Sequence, residues 1–163
     1  MAGLLIGAKT KGEIGRQFVQ RTTQTETDGT RSTLFLLTDI YVEITPKLSD
    51  SRILVTFNCG GMVNGTCNDI AIAIKRVMSG TTTQIRYINR YGYVSDNNGW
   101  LPFPLAVDFL DETVSIPATP VLIRYALYMA RGASGTVEIN PDATTVLGGL
   151  HPAIITATEL APN

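Results

Sequence analysis

Apolar residues recur at every second position through most of the chain, and nowhere at the mixed three-and-four spacing of an amphipathic helix. Ile40, Val42 and Ile44 share one face of a strand, with Tyr41, Glu43 and Thr45 on the other. Pro46 ends it, because proline has no N–H to give to a ladder. After the polar turn Lys47-Leu48-Ser49-Asp50-Ser51, Ile53, Val55 and Phe57 alternate until Gly60-Gly61 breaks the run. Ile72 and Ile74 then point one way with only the small Ala71 and Ala73 opposite, a pattern for close packing. Beyond the Ser79-Gly80 turn, Tyr87 alternates with Ile85 and is expected in the core. Tyr91, Tyr93 and Trp100, around Asp96-Asn97-Asn98-Gly99, are expected on an exposed loop.

Leu105, Val107 and Phe109 form another alternating run before the acidic pair Asp111-Glu112, and residues 116–120 read as a Pro-stiffened connector. From Val121 to Met129 both faces are apolar: Val121, Ile123, Tyr125, Leu127 and Met129 on one, Leu122, Ala126 and Tyr128 on the other. A strand apolar on both sides is covered on both sides. Thr136–Ile139 and Ile154–Glu159 complete the series, each after a Gly-rich turn, and the Thr-rich stretch from Arg21 to Arg31 reads as an arm or an edge strand. About eight to ten short strands at even spacing predict an all-β jelly-roll sandwich of antiparallel strands, with a closed barrel as the second choice.

Composition narrows the class. The chain has 163 residues, of which 44% are hydrophobic and 17% charged, with a formal net charge of -1. That suits one folded domain and offers no basic footprint for nucleic acid. The apolar run Leu4-Leu5-Ile6 is too short for a secretory segment and no span has membrane length, so neither export by a signal peptide nor membrane insertion is expected. Cys59 and Cys67 flank a Gly/Asn-rich loop that would allow a disulfide, and free thiols are the preferred reading. Asn64-Gly65-Thr66 spells a glycosylation sequon but reads as a turn.

Several pieces taken in order resemble a known family: Ile44-Thr45-Pro46, Ser49-Asp50-Ser51-Arg52-Ile53-Leu54-Val55, Ile74-Lys75-Arg76, Gly135-Thr136-Val137-Glu138-Ile139-Asn140 and Ile154-Ile155-Thr156-Ala157-Thr158-Glu159-Leu160. Together, from roughly Thr22 to Leu160, they look like the phage structural proteins whose head is a trimeric jelly roll of tumour-necrosis-factor or complement type. The resemblance implies a homotrimer, for which Leu122, Ala126, Tyr128, Ala71 and Ala73 are the candidate interface. It implies a virion protein, assembled in the host cytoplasm, that decorates the capsid and partners the major capsid protein or another virion protein. The second reading is a tail-fibre tip that binds a host surface glycan through Tyr91, Tyr93 and Trp100. Residues 1–21 would be a docking arm carrying Leu4, Leu5, Ile6 and Phe18, and residues 22–163 the jelly roll. So little chain before the roll favours a compact knob over a fibre.

Chemistry adds little. His151 is the single histidine and lacks a Ser or Cys nucleophile motif, so no enzyme is expected, and a cupin-type metal site would need more histidines. Gly7-Ala8-Lys9-Thr10 lacks the Gly-Lys pair of a phosphate loop. Asp108, Asp111 and Glu112, or Asp96 with Asn97 and Asn98, offer oxygen donors to calcium but read as solvated turns. No cofactor and no metal are expected.

Overall fold

Ten strands follow the alternation: β1 (Glu13–Arg21), β2 (Thr25–Thr27), β3 (Arg31–Ile44), β4 (Arg52–Asn64), β5 (Cys67–Met78), β6 (Thr81–Val94), β7 (Leu101–Asp111), β8 (Ile123–Arg131), β9 (Thr136–Ile139) and β10 (Ala153–Leu160). They come from a computed structural model that describes residues 13–21, 25–27, 31–64, 67–94, 101–131, 136–139 and 153–161.

The strands form two sheets. In the first, β1, β10, β4 and β7 lie side by side, and β9 with β2 continues the β10 side of β4. The second has the order β3-β8-β5-β6. Every pairing is antiparallel and the pairs are nested: β1 with β10, β3 with β8, β4 with β7, β5 with β6. A β-hairpin folded over on itself in this way gives a sandwich with jelly-roll winding. At its tip, Ser79 and Gly80 both have positive φ, 49° and 79°, so two residues make the mirror-image turn whose twist suits the paired strands.

Alternation decides which residues fill the sandwich. Ile40, Val42 and Ile44 of β3, Ile53, Val55 and Phe57 of β4, and Ile70, Ile72 and Ile74 of β5 are all buried. So are Leu105 and Val107 of β7, Ile123, Tyr125, Leu127 and Met129 of β8, and Ala153, Ile155 and Ala157 of β10. Val114 and Ile116 of the connector close over the core. Each large aliphatic side chain removed from water contributes about 1.5–3 kcal/mol, which is why the core-facing positions of both sheets recur with period 2 between bulges.

Two features depart from the expected picture. Residues 13–21 are not a free arm: β1 runs along β10 from Glu13↔Leu160 to Arg21↔Ala153 as an edge strand of the first sheet. Tyr87 is not in the core but 47% exposed. The cause is a bulge in β6, where Ile74 faces Arg86 and Lys75 faces Gln84, so Ile85 is one residue too many. An extra residue inverts the faces beyond it, and Tyr87 comes to lie opposite Ala73 on the outside.

Candidate functional site

Across the inner face of the first sheet runs one row, Gly15–Glu159–Ile53–Asp111, from β1 through β10 and β4 to β7. Its two carboxylates, Glu159 and Asp111, are each 1% exposed and stand two strand spacings apart, about 10 Å. Asp111 is answered by the facing sheet. Arg76 of β5 donates from Nη1 to Oδ2 at 2.7 Å, and the Tyr125 hydroxyl of β8 donates to the same oxygen at 2.9 Å. Oδ1 accepts from the Thr113 N–H at 3.1 Å and from its Oγ1 at 2.9 Å. Burial, reinforced by the Asp111 charge and the hydrogen bond to it, pushes the Tyr125 hydroxyl up from its ordinary value.

Glu159 is answered by backbone. Its Oε1 accepts from the N–H groups of Lys47 and Leu48 at 2.7 and 3.0 Å and from Ser51 Oγ at 2.7 Å. Two successive N–H groups aimed at one anion make a nest. The corner that carries the chain from β3 to β4, and so from one sheet to the other, is thereby fixed to β10. On the opposite side, a Cβ added at Gly15 would sit 3.7 Å from Glu159 Oε2, ordinary contact distance.

The outer face of the second sheet is where the expected interface residues lie. Ala126 stands between Tyr41 and Lys75, and Ala73 between Tyr128 and Tyr87. Ala71, Ala73 and Ala126 are 7%, 1% and 1% exposed within a single chain. Long side chains lie flat over this floor of small residues. Lys75 Nζ sits 4.2 Å from the centre of the Tyr128 ring, and the Arg124 guanidinium 4.4 Å from that of Tyr41. Arg124 is also held by Glu43, at 2.8 Å from Nε and 2.6 Å from Nη2. The second apolar face of β8 is therefore covered by its own neighbours, apart from Leu122 at the strand's entrance, which is 54% exposed.

The outer face of the first sheet is different in kind. The rows Ile154–Asn58–Ala106, Thr156–Thr56–Asp108 and Thr158–Leu54–Leu110 carry one charge among nine residues. Ile154 and Leu110 are 40% and 37% exposed. With Arg16 of β1 beside Thr158, these rows hold one cation and one anion, where the other face carries Lys75 and Arg124 stacked on rings.

Of the remaining expected residues, Phe18 stands opposite Thr156 in the β1–β10 ladder, and Tyr91 and Tyr93 fall within β6. Leu4, Leu5, Ile6, Trp100, His151 and the Asp96–Asn98 donors lie outside the described residues. Cys59 is a buried free thiol that burial pushes up to about 12; the Cys67 side chain is not among those described. The acidic stretch 108–112 is not a solvated turn: Asp108 and Glu112 are exposed, but Asp111 is a buried anchor. Among the described residues no three His, Cys, Asp or Glu side chains gather to hold a metal.

What these features define is an all-β sandwich with jelly-roll winding, pinned by two buried carboxylates. No protein-family model and no curated protein matches the chain. Among solved structures it is similar to capsid proteins of infectious bursal disease virus. The T13 viral particle superposes with a TM-score of 0.42 at 10% identity, over 100% of this chain and 40% of that one. The VP2 subviral particle gives 0.41 at 9% identity, over 100% and 42%, and the Gx strain 0.39 at 10%, over 100% and 45%. The chain spans less than half the length of these proteins, and at such scores no function is taken from them.

Proposed function

We propose that the chain is a non-enzymatic structural protein of a phage particle, a jelly-roll knob that assembles as a homotrimer and decorates the capsid shell. The reading rests on the ordered resemblance from Thr22 to Leu160, and the observation that carries it is the nested strand pairing, which is the winding that the resemblance implies. In the trimer, the outer face of β8 meets its neighbours through Leu122 and Tyr128, while Ala126 lies between Tyr41 and Lys75, Ala73 between Tyr128 and Tyr87, and Ala71 beside Ala130. Tyr and Arg side chains presented on a rigid sheet suit a contact of this kind.

Docking to the particle falls to Leu4, Leu5, Ile6 and Phe18, whose segment runs into β1. Alongside β1, Ile154 of β10 is an exposed apolar residue on the same sheet. Three identical weak docking contacts gain avidity from being linked, so each needs only modest apolar burial at about 25 cal/mol per Å².

The test is binding of the purified chain to undecorated capsids, with and without residues 1–12. A deletion that stops at residue 12 leaves β1 in place, so a loss of binding reports docking and not the loss of an edge strand. Retained binding after the deletion, or none by the intact chain, contradicts the assignment.

A further inference from the structure

The strands β6 and β7 end their respective sheets, and the sandwich is open between them. A cleft of about 300 Å³ lies there, lined by Thr83–Arg86 of β6 and by residues 109–113 at the end of β7. The bulge at Ile85 falls within this lining; bulges on edge strands re-aim side chains and recur beside binding sites. Ile85 and Phe109, both only partly buried, give the cleft an apolar wall, and the Phe109 ring is held edge-on by Tyr125 at 6.0 Å. Thr83, Gln84 and Thr113 add hydroxyl and amide groups that both donate and accept. Arg86 and Glu112 are exposed lining residues of opposite sign.

One further observation points the same way. Arg76 faces Thr83 across the β5–β6 ladder, and its side chain is 9% exposed. Asp111, itself part of the lining, holds Nη1 of this residue, yet the buried Nε has no hydrogen-bond partner. A buried donor left without an acceptor costs about 1–3 kcal/mol, a cost carried directly behind the Asp111 wall of the cleft.

We infer that this cleft binds a neutral saccharide. The lining carries both signs, Arg86 with Asp111 and Glu112, and the two carboxylates already have cationic partners, Arg76 for Asp111 and Arg52 at 3.8 Å for Glu112, so no ion of one sign is singled out. Mixed donors and acceptors beside an aromatic ring and an aliphatic side chain match a sugar, with its hydroxyls at the edge and its C–H groups on the face. The volume is at the small end of ligand sites and suits one or two rings. A single chain builds the whole cleft, so the inference stands apart from the trimer and the capsid: it holds or fails whatever the assembly state.

Saturation-transfer NMR on the full chain, with the methyl glycosides of glucose, galactose, mannose and N-acetylglucosamine as probes, tests it. Transfer to at least one glycoside is expected, with affinity about tenfold weaker in the exposed-site variant Gln84→Ala/Arg86→Ala, the loss of one or two hydrogen bonds. Glu112→Gln serves as a second cleft variant and Asn58→Ala, exposed on the outer face of the first sheet, as a control that leaves binding unchanged. Thermal unfolding of each variant establishes that it is folded. Absence of transfer from all four glycosides, or transfer equally strong in both folded cleft variants, overturns the inference.

Discussion

Asp111 and Glu159 occupy the same row of the same sheet, flank the same Ile53, and are buried to the same degree, yet they are neutralised in opposite ways. Asp111 meets a guanidinium and a phenol from the facing sheet, whereas Glu159 meets backbone N–H groups and a hydroxyl from a sheet-to-sheet corner. The first is a charge pair whose two members depend on each other. The second is a charge held by dipoles, which carry no penalty of their own charge when the anion is removed. Both fasten one sheet to the other at the same end of the sandwich, so that end is set by polar geometry while the remainder is set by apolar filling.

This difference predicts unequal mutational costs. Asp111→Ala leaves the Arg76 charge buried without its partner and should cost about 3–5 kcal/mol in denaturant unfolding. Adding Arg76→Met removes the stranded charge and should recover much of that loss; a double variant no more stable than the single would show that the ion pair is not what Asp111 supplies. Glu159→Ala leaves three donors without an acceptor but no stranded charge, for a smaller loss of about 2–3 kcal/mol, and a partner substitution at Ser51 should rescue none of it. Should Glu159→Ala prove the costlier change, the contrast between the two sites is reversed.

Smaller effects sharpen the picture. Tyr125→Phe removes one hydrogen bond to a carboxylate and should cost about 1.5–3 kcal/mol, with no change in assembly because the ring stays in the core. Cys59 supplies a buried acid with a raised value and no charged partner. Below about pH 8 its thiol is protonated in both the folded and the unfolded chain, so its contribution is constant there. Between pH 9 and about 12 the unfolded chain gives up the proton while the folded chain keeps it, and stability falls by up to about 1.4 kcal/mol per pH unit. Tyr125, raised above the ordinary phenol value, adds to the decline at the alkaline end of that window. Cys59→Ala should flatten the difference between urea titrations at pH 8 and pH 10; an unchanged slope would contradict the buried-thiol account.

The all-β class, the strand end at Ile44 and the core faces of β3, β4, β5, β7 and β8 were legible because period-2 alternation is a direct record of which side meets the core. The buried charges were legible too, on the same rule, but only if it is followed past the last apolar residue. Leu105, Val107 and Phe109 lead by parity to Asp111, Ile72 and Ile74 lead to Arg76, and Ile155 and Ala157 lead to Glu159. Stopping each strand at its final apolar residue turned Asp111 into an acidic loop and left Glu159 without a role. Tyr87 was beyond reach, since a bulge one residue long inverts parity and leaves no mark in composition. The cover over Ala73 and Ala126 was hidden for another reason: small residues signal close packing without saying whether a neighbouring chain or the protein's own Tyr87, Tyr128, Tyr41 and Lys75 supplies it.

That last point bears on assembly, which is the centre of the functional proposal. Sedimentation equilibrium of the purified chain measures it without reference to shape. The account predicts a species of three times the chain mass that Leu122→Arg shifts towards one chain while the sandwich remains folded. A single-chain mass for the unaltered protein across the micromolar range would contradict it.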